Sequence, residues 1–203
     1  MLRKEKMFKL NFKKVLAFLF AFILCFGCID VYADDGGYTI DDYTVNAIYH
    51  SNNTIDVKEV IDVNFSSYRH GIYRNIPETM YINRDEKYKL QIKDIAVLND
   101  EYDVDSDSGN RVIQIGSEDY TIIGPHTYML TYTIVIPEDY HSDLDFIYYS
   151  VLGNNWDTTI SHFSFDIQFE KALTEEEMSN IQVFSGSLGN QSNALNVNPI
   201  ITS

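Results

Sequence analysis

Tyr128, Leu130, Tyr132, Ile134 and Ile136 recur at every second position. Only an extended strand brings residues of that spacing onto one face, so the run predicts a strand with one side toward a core. The same beat sounds elsewhere. Tyr43, Val45, Ala47 and Tyr49 alternate, His50-Ser51-Asn52-Asn53 supplies turn residues, and Ile55, Val57, Ile61, Val63 and Phe65 share a face beyond it. Together they read as a hairpin. Tyr88, Leu90 and Ile92 keep phase until Lys93-Asp94, where Ile95 and Val97 take over the apolar face and imply a bulge. Val112 to Ile115, Phe163 to Phe169 and Ile181 to Phe184 predict further strands, and Ser185 to Asn193 a long loop. Thr174-Glu175-Glu176-Glu177 has the form of a capping box opening a short helix. The expectation is an all-β fold, an antiparallel β-sandwich of immunoglobulin-like or jelly-roll-like type, with one short helix.

The first 33 residues read differently. Met1 to Lys14 carries six Lys and Arg against Glu5, Val15 to Ile29 is uncharged, and Val31-Tyr32-Ala33 follows. A basic head, an apolar middle and an A-x-A-like end describe a secretory signal peptide, which would be helical in the membrane. The expected organisation is a leader over 1–33 and one domain over 34–203, exported and extracytoplasmic, and secreted if cleavage follows Ala33. Two alternatives stay open. Residues 15–29 could remain as a membrane anchor, although spanning takes about 20 apolar residues. Cys28 could instead be acylated as a lipoprotein's first residue.

Of the 203 residues, 15 are Lys or Arg and 30 are Asp or Glu, a formal net charge of −15. Removing the leader takes six of the bases and two of the acids, so the remaining surface is more acidic still. Such a field repels nucleic acid, anionic lipid and anionic wall polymers. Both cysteines, Cys25 and Cys28, lie in the leader, so their C-x-x-C spacing carries no redox or metal meaning for the domain. A domain of about 170 residues can be held by its core without disulfides.

Glu59 stands between Val57 and Ile61 on the apolar face of its strand and should point inward. A buried carboxylate needs a partner or a proton. The segment Tyr68-Arg69-His70-Gly71-Ile72-Tyr73-Arg74-Asn75-Ile76-Pro77 offers arginine forks that could take both oxygens, Arg74 first and Arg69 second. Arg69, His70, Tyr73 and Arg74 are thus the candidate partners or binding residues, with a structural ion pair and a ligand-facing pair both open. The mixture of aromatic and cationic groups also suits a sugar or peptide groove, or the cover of a sheet edge. Tyr128, Tyr132 and Trp156 are expected in or near the core.

Asp103, Asp105, Asp107 and Gly109 have a D-x-D-x-D pattern, but Ser108 and Gln114 stand where a calcium loop needs glycine and glutamate. The expected role is a solvated turn between Ile95–Leu98 and Val112–Ile115. His50, His70, His126, His141 and His162 show no metal-ligand spacing, and no nucleophile elbow or phosphate-binding glycine loop occurs. No metal, cofactor or catalytic residue is assigned.

Gly71-Ile72-Tyr73-Arg74-Asn75-Ile76-Pro77, then Gly124 to Tyr132, then Tyr148 to Trp156 with Gly153-Asn154-Asn155-Trp156 form an ordered set. In that order they resemble the amino-terminal extracytoplasmic domain of the DUF2207 family, predicted bacterial membrane proteins of unknown function. Val57-Lys58-Glu59 is similar to the family's V-T-E step. The likeness runs from about Tyr38 to Asn193 and departs at Tyr148-Tyr149-Ser150, where many members have Tyr-Trp-Asn. It implies further strands and a membrane helix downstream, so Asn196 to Ile201 is read as the start of another strand. The expected product is a released domain that self-associates through an unpaired edge. The expected function is non-catalytic binding or scaffolding of an envelope component or partner protein. The alternative is a hydrolase of wall glycan or peptide using Glu59 with Arg74.

Overall fold

The computed structural model describes residues 36–81, 87–138, 149–153, 155–181, 184–185 and 192–193. The leader, Tyr148, Asn154 and the strand expected from Asn196 lie outside them. The described chain is all-β. Its strands are β1 (Tyr38–Tyr49), β2 (Thr54–Arg69), β3 (Gly71–Pro77), β4 (Thr79–Tyr81), β5 (Lys87–Lys89), β6 (Gln91–Leu98), β7 (Tyr102–Asp107), β8 (Asn110–Gly116), β9 (Ile122–Val135) and β10 (Phe163–Phe169). Helix α1 (Glu175–Ser179) and the short β11 (Phe184–Ser185) and β12 (Ser192–Asn193) follow.

Five strands make one sheet in the order β10-β1-β2-β9-β6, and β3-β8-β7 make a second. The inner faces of the two sheets share one core. Tyr43, Val45, Val57, Ile61, Val63, Phe65, Tyr128, Leu130, Tyr132 and Ile134 come from the first, and Ile72, Ile76, Ile113 and Ile115 from the second. Sheets stacked this way lie about 10 Å apart, a gap that large aromatic and β-branched side chains fill.

The hairpin β1–β2 forms as the alternation predicts, with Tyr43 opposite Ile61 and Ala47 opposite Val57. A register shift between Ile40 and Asp42 lets Tyr38 and Ile40 join the same buried face as Tyr43. The expected bulge is present too: β6 slips against β9 between Lys93 and Ala96, with Asp94 at φ 53°. A short polar side chain tolerates that left-handed conformation better than most. Thr174 caps α1 as a capping box, accepting from the Glu177 N–H while the Glu177 carboxylate accepts from the Thr174 N–H.

Three expectations change. The sheet is not wholly antiparallel, because β10 lies parallel to β1, with Tyr43 beside Phe163 and Tyr49 beside Phe169. Alternation reports which face is buried but carries no strand direction. The acidic run is no turn between Ile95–Leu98 and Val112–Ile115, since those segments sit in different sheets. Asp103, Asp105 and Asp107 lie along edge strand β7, whose own hairpin to β8 turns at Ser108-Gly109. At the carboxyl end Ile181 stands outside any strand, and β11 pairs with β12, so the ends of the expected loop are bridged.

Candidate functional site

Glu59 sits in β2, which has neighbours on both sides: Val45 is opposite it on β1 and Leu130 on β9. Two positions along the pairing stand Tyr43, opposite Ile61, and Tyr132, opposite Val57. Such diagonal neighbours are within reach of long side chains. Each phenol turns to the carboxylate: Tyr43 donates to Oε2 and Tyr132 to Oε1, both at 2.6 Å.

Arg74 descends from the opposite sheet. In β3 it alternates with Ile72 and Ile76 on the inner face, and its guanidinium meets Glu59 as a two-pronged fork. Nε donates to Oε2 and Nη2 to Oε1, each at 2.8 Å. The remaining donors turn to backbone. Nη2 reaches the Val151 carbonyl at 3.1 Å, and Nη1 reaches those of Asn75 at 2.6 Å and Leu152 at 3.3 Å. All five guanidinium protons and all four carboxylate lone-pair positions are therefore occupied. Both side chains are 0% exposed. A buried pair offsets its desolvation only with this degree of satisfaction.

The shell around the pair is aromatic. The Arg74 guanidinium lies 5.8 Å from the Tyr43 ring and 5.9 Å from the Trp156 ring. Tyr43 and Trp156 meet edge to face at 5.7 Å, and the indole N–H donates to the Leu152 carbonyl at 3.0 Å. The Tyr132 proton is committed to Glu59, so in the 3.0 Å contact with Tyr149 it is Tyr149 that donates. Gly153 stands against Arg74 at φ 75°, and a Cβ there would meet Nη1 and the Asn75 carbonyl. Glycine is required on both counts.

Burial dominates the electrostatics. It pushes the Tyr43 and Tyr132 phenols well above their ordinary range, and the Glu59 charge adds to this. Burial also raises Tyr149, to about 12. For Arg74 burial pulls downward, but the facing carboxylate outweighs it and holds the guanidinium charged. The assembly is a charged pair locked inside neutral phenols. It clamps the two sheets, and the chain at 151–152, together.

The other candidates are dispersed. Arg69 is not a partner of Glu59: its guanidinium donates to the Gly36 carbonyl and lies 5.1 Å from the Tyr38 ring. His70 contacts the Ser117 carbonyl through Nδ1 at 2.9 Å. Tyr73 points outward. Tyr128 is buried beside Phe65, and Trp156 is half-buried over the pair. Tyr43, Tyr149 and Gly153 were not among the expected site residues. Tyr43 was legible as a core-facing position; nothing local marked Tyr149 or Gly153 as neighbours of Arg74. Among the described residues no group of three or more His, Cys, Asp or Glu is placed to hold a metal.

The segment that supplies Arg74 and the turn that receives it are the stretches on which the family likeness rests. The family model described as "Predicted membrane protein (DUF2207) N-terminal domain" matches residues 39–198. The chain belongs to the DUF2207 family. No curated protein matches its sequence. Similar solved structures include an M1 zinc metallopeptidase from Deinococcus radiodurans, with 8% identity, TM-score 0.33, and coverage of 50% of this chain and 21% of that one. Native leukotriene A4 hydrolase from Saccharomyces cerevisiae shows 5% identity, TM-score 0.34, and coverage of 48% and 15%. This chain thus spans about a fifth or less of those enzymes, and likeness at that level carries no chemistry across. Among the described residues of this DUF2207 domain, no helix is long and apolar enough to cross a membrane.

Proposed function

We propose that this DUF2207 domain is a non-catalytic, extracytoplasmic module that binds or scaffolds a component of the bacterial cell envelope. The observation that carries this reading is the sealed Glu59–Arg74 pair. A general acid or base must reach the proton it transfers. Every hydrogen-bonding position of Glu59 and Arg74 is already taken, and neither touches solvent. A hydrolase built on that pair would have to dismantle the layer joining the sheets. The signal-like leader supports export, and the acidic surface favours a partner that is not an anionic polymer. Self-association through an outer strand such as β6 or β7 belongs to the same proposal.

The test is cross-linking in cells that express the full tagged chain, followed by capture from the envelope fraction. Recovery of a defined component is expected, and Glu59→Gln protein that still folds should recover it equally well. Capture of nothing beyond an unrelated exported control would overturn the reading, and sedimentation of the purified protein tests the association.

A further inference from the structure

At the corner where β2 turns into β3 the surface sinks into an open depression of about 380 Å³. Its lining includes Tyr68, His70, Gly71, Tyr73 and Gln114. Gly71 and Gly116 face each other across the β3–β8 pair, where a Cβ on either would strike the facing backbone. Two large rings border the depression and are left to water: Tyr68 is 72% exposed and Tyr73 53%.

Besides Arg69 and the two tyrosines, the polar side chains of the lining are Ser67, His70 and Gln114. The Ser117 carbonyl can only accept, so His70 Nδ1 carries a proton, and Nε2 is the ring's other hydrogen-bonding atom. Gln114, opposite Tyr73 on β8, adds an amide that both donates and accepts. Arg69 also lines the depression, with Nη1 donating to the Gly36 carbonyl and the guanidinium 5.1 Å from the Tyr38 ring. None of the nine lining residues is acidic, in a chain with 30 acids. Ile72 and Ile115 turn their side chains into the core, so the depression lacks the apolar socket that anchors a peptide side chain.

We propose that this depression binds a carbohydrate, the sugar lying against Tyr68 and Tyr73 with its hydroxyls on His70 Nε2 and the Gln114 amide. A tyrosine face is electron-rich and suits the polarised C–H bonds on one side of a pyranose, and a few placed polar groups fix its orientation. The inference deepens the envelope-binding reading and rests on it.

The exported protein, purified from cells expressing the full chain, is titrated calorimetrically with tri-N-acetylchitotriose, with cellotetraose and with a mixed peptide pool. Binding of at least one oligosaccharide is expected. Tyr68→Ala and Tyr73→Ala should each weaken it roughly three- to tenfold, the range for one lost aromatic contact. Tyr120→Ala, an exposed tyrosine outside the lining, should leave it unchanged. Unaltered melting of the variants shows that the fold survives. Binding of neither sugar, binding indifferent to both tyrosines, or binding of peptide alone overturns the proposal. If the Tyr68→Ala/Tyr73→Ala protein still captures its envelope component, the sugar site falls and the envelope reading stands. If wild-type protein captures nothing, the envelope reading itself falls.

Discussion

Tyr73 and Arg74 are neighbours on β3, yet they belong to opposite worlds. Arg74 points inward, has no exposure and uses every donor it has. Tyr73 points outward, half in water, on the rim of a depression whose polar groups have unfilled capacity. A buried polar group must be fully satisfied by its own chain, and that satisfaction removes it from chemistry with anything else. A surface group left unsatisfied costs little, since water serves it, and it stays available to a ligand. In this domain the buried charges of Glu59 and Arg74 join the two sheets, while Tyr68 and Tyr73 on the outer face stay open to water.

That contrast can be broken most directly at the pair. Arg74→Ala should lower stability by about 3–5 kcal/mol, because the Glu59 charge would be left buried among phenols. Replacing both partners at once, Glu59→Leu with Arg74→Met, should cost far less than the two single changes together, since no uncompensated charge remains. Chemical denaturation of the set measures this, and an Arg74→Ala protein as stable as wild type would show that the pair is not sequestered.

Gly153→Ala should be next, at about 1–3 kcal/mol, for a side chain forced into the left-handed region against Arg74. Thermal melting checks it, and the loss should shrink when Arg74 has already been shortened.

The phenols make the centre sensitive to alkali. Burial raises Tyr149 from its ordinary 10.0 to about 12, and it raises Tyr43 and Tyr132 well above theirs. The unfolded chain therefore loses phenolic protons first as pH rises. Stability from these groups is fully present below pH 10 and falls as pH climbs through the folded values. Melting temperatures should drop across that window, and Tyr149→Phe should flatten the drop; a slope unchanged by that substitution would refute the assignment. The smallest effect belongs to the outer face: Tyr73→Ala should alter stability by no more than about 0.5 kcal/mol. A large loss there would mean that Tyr73 supports the fold and would erase the difference from Arg74.

Strands β3, β4 and β7 were not expected, but the positions of β1, β2, β6, β8, β9 and β10, the bulge at Lys93–Asp94, the helix cap and the inward direction of Glu59 were legible in the sequence. Each is a local matter, set by alternation at a period of two or by a cap within four residues. The candidate site was half legible. Glu59 demanded a cation, but Arg69 and Arg74 both stood within reach along the chain. The choice fell to Arg74 because the β2–β3 corner at His70-Gly71 starts a new strand in a new sheet and resets which residues face the core. Tyr149, Gly153 and the carbonyls at 151–152 come from a segment more than 70 residues away, and only packing brings them to the guanidinium. The parallel seating of β10 and the separation of β6 from β8 into different sheets have the same origin. A residue's pattern along the chain determines which side of a strand it occupies; which strand lies alongside, in which direction, depends on hydrogen bonds between distant segments that no local pattern encodes.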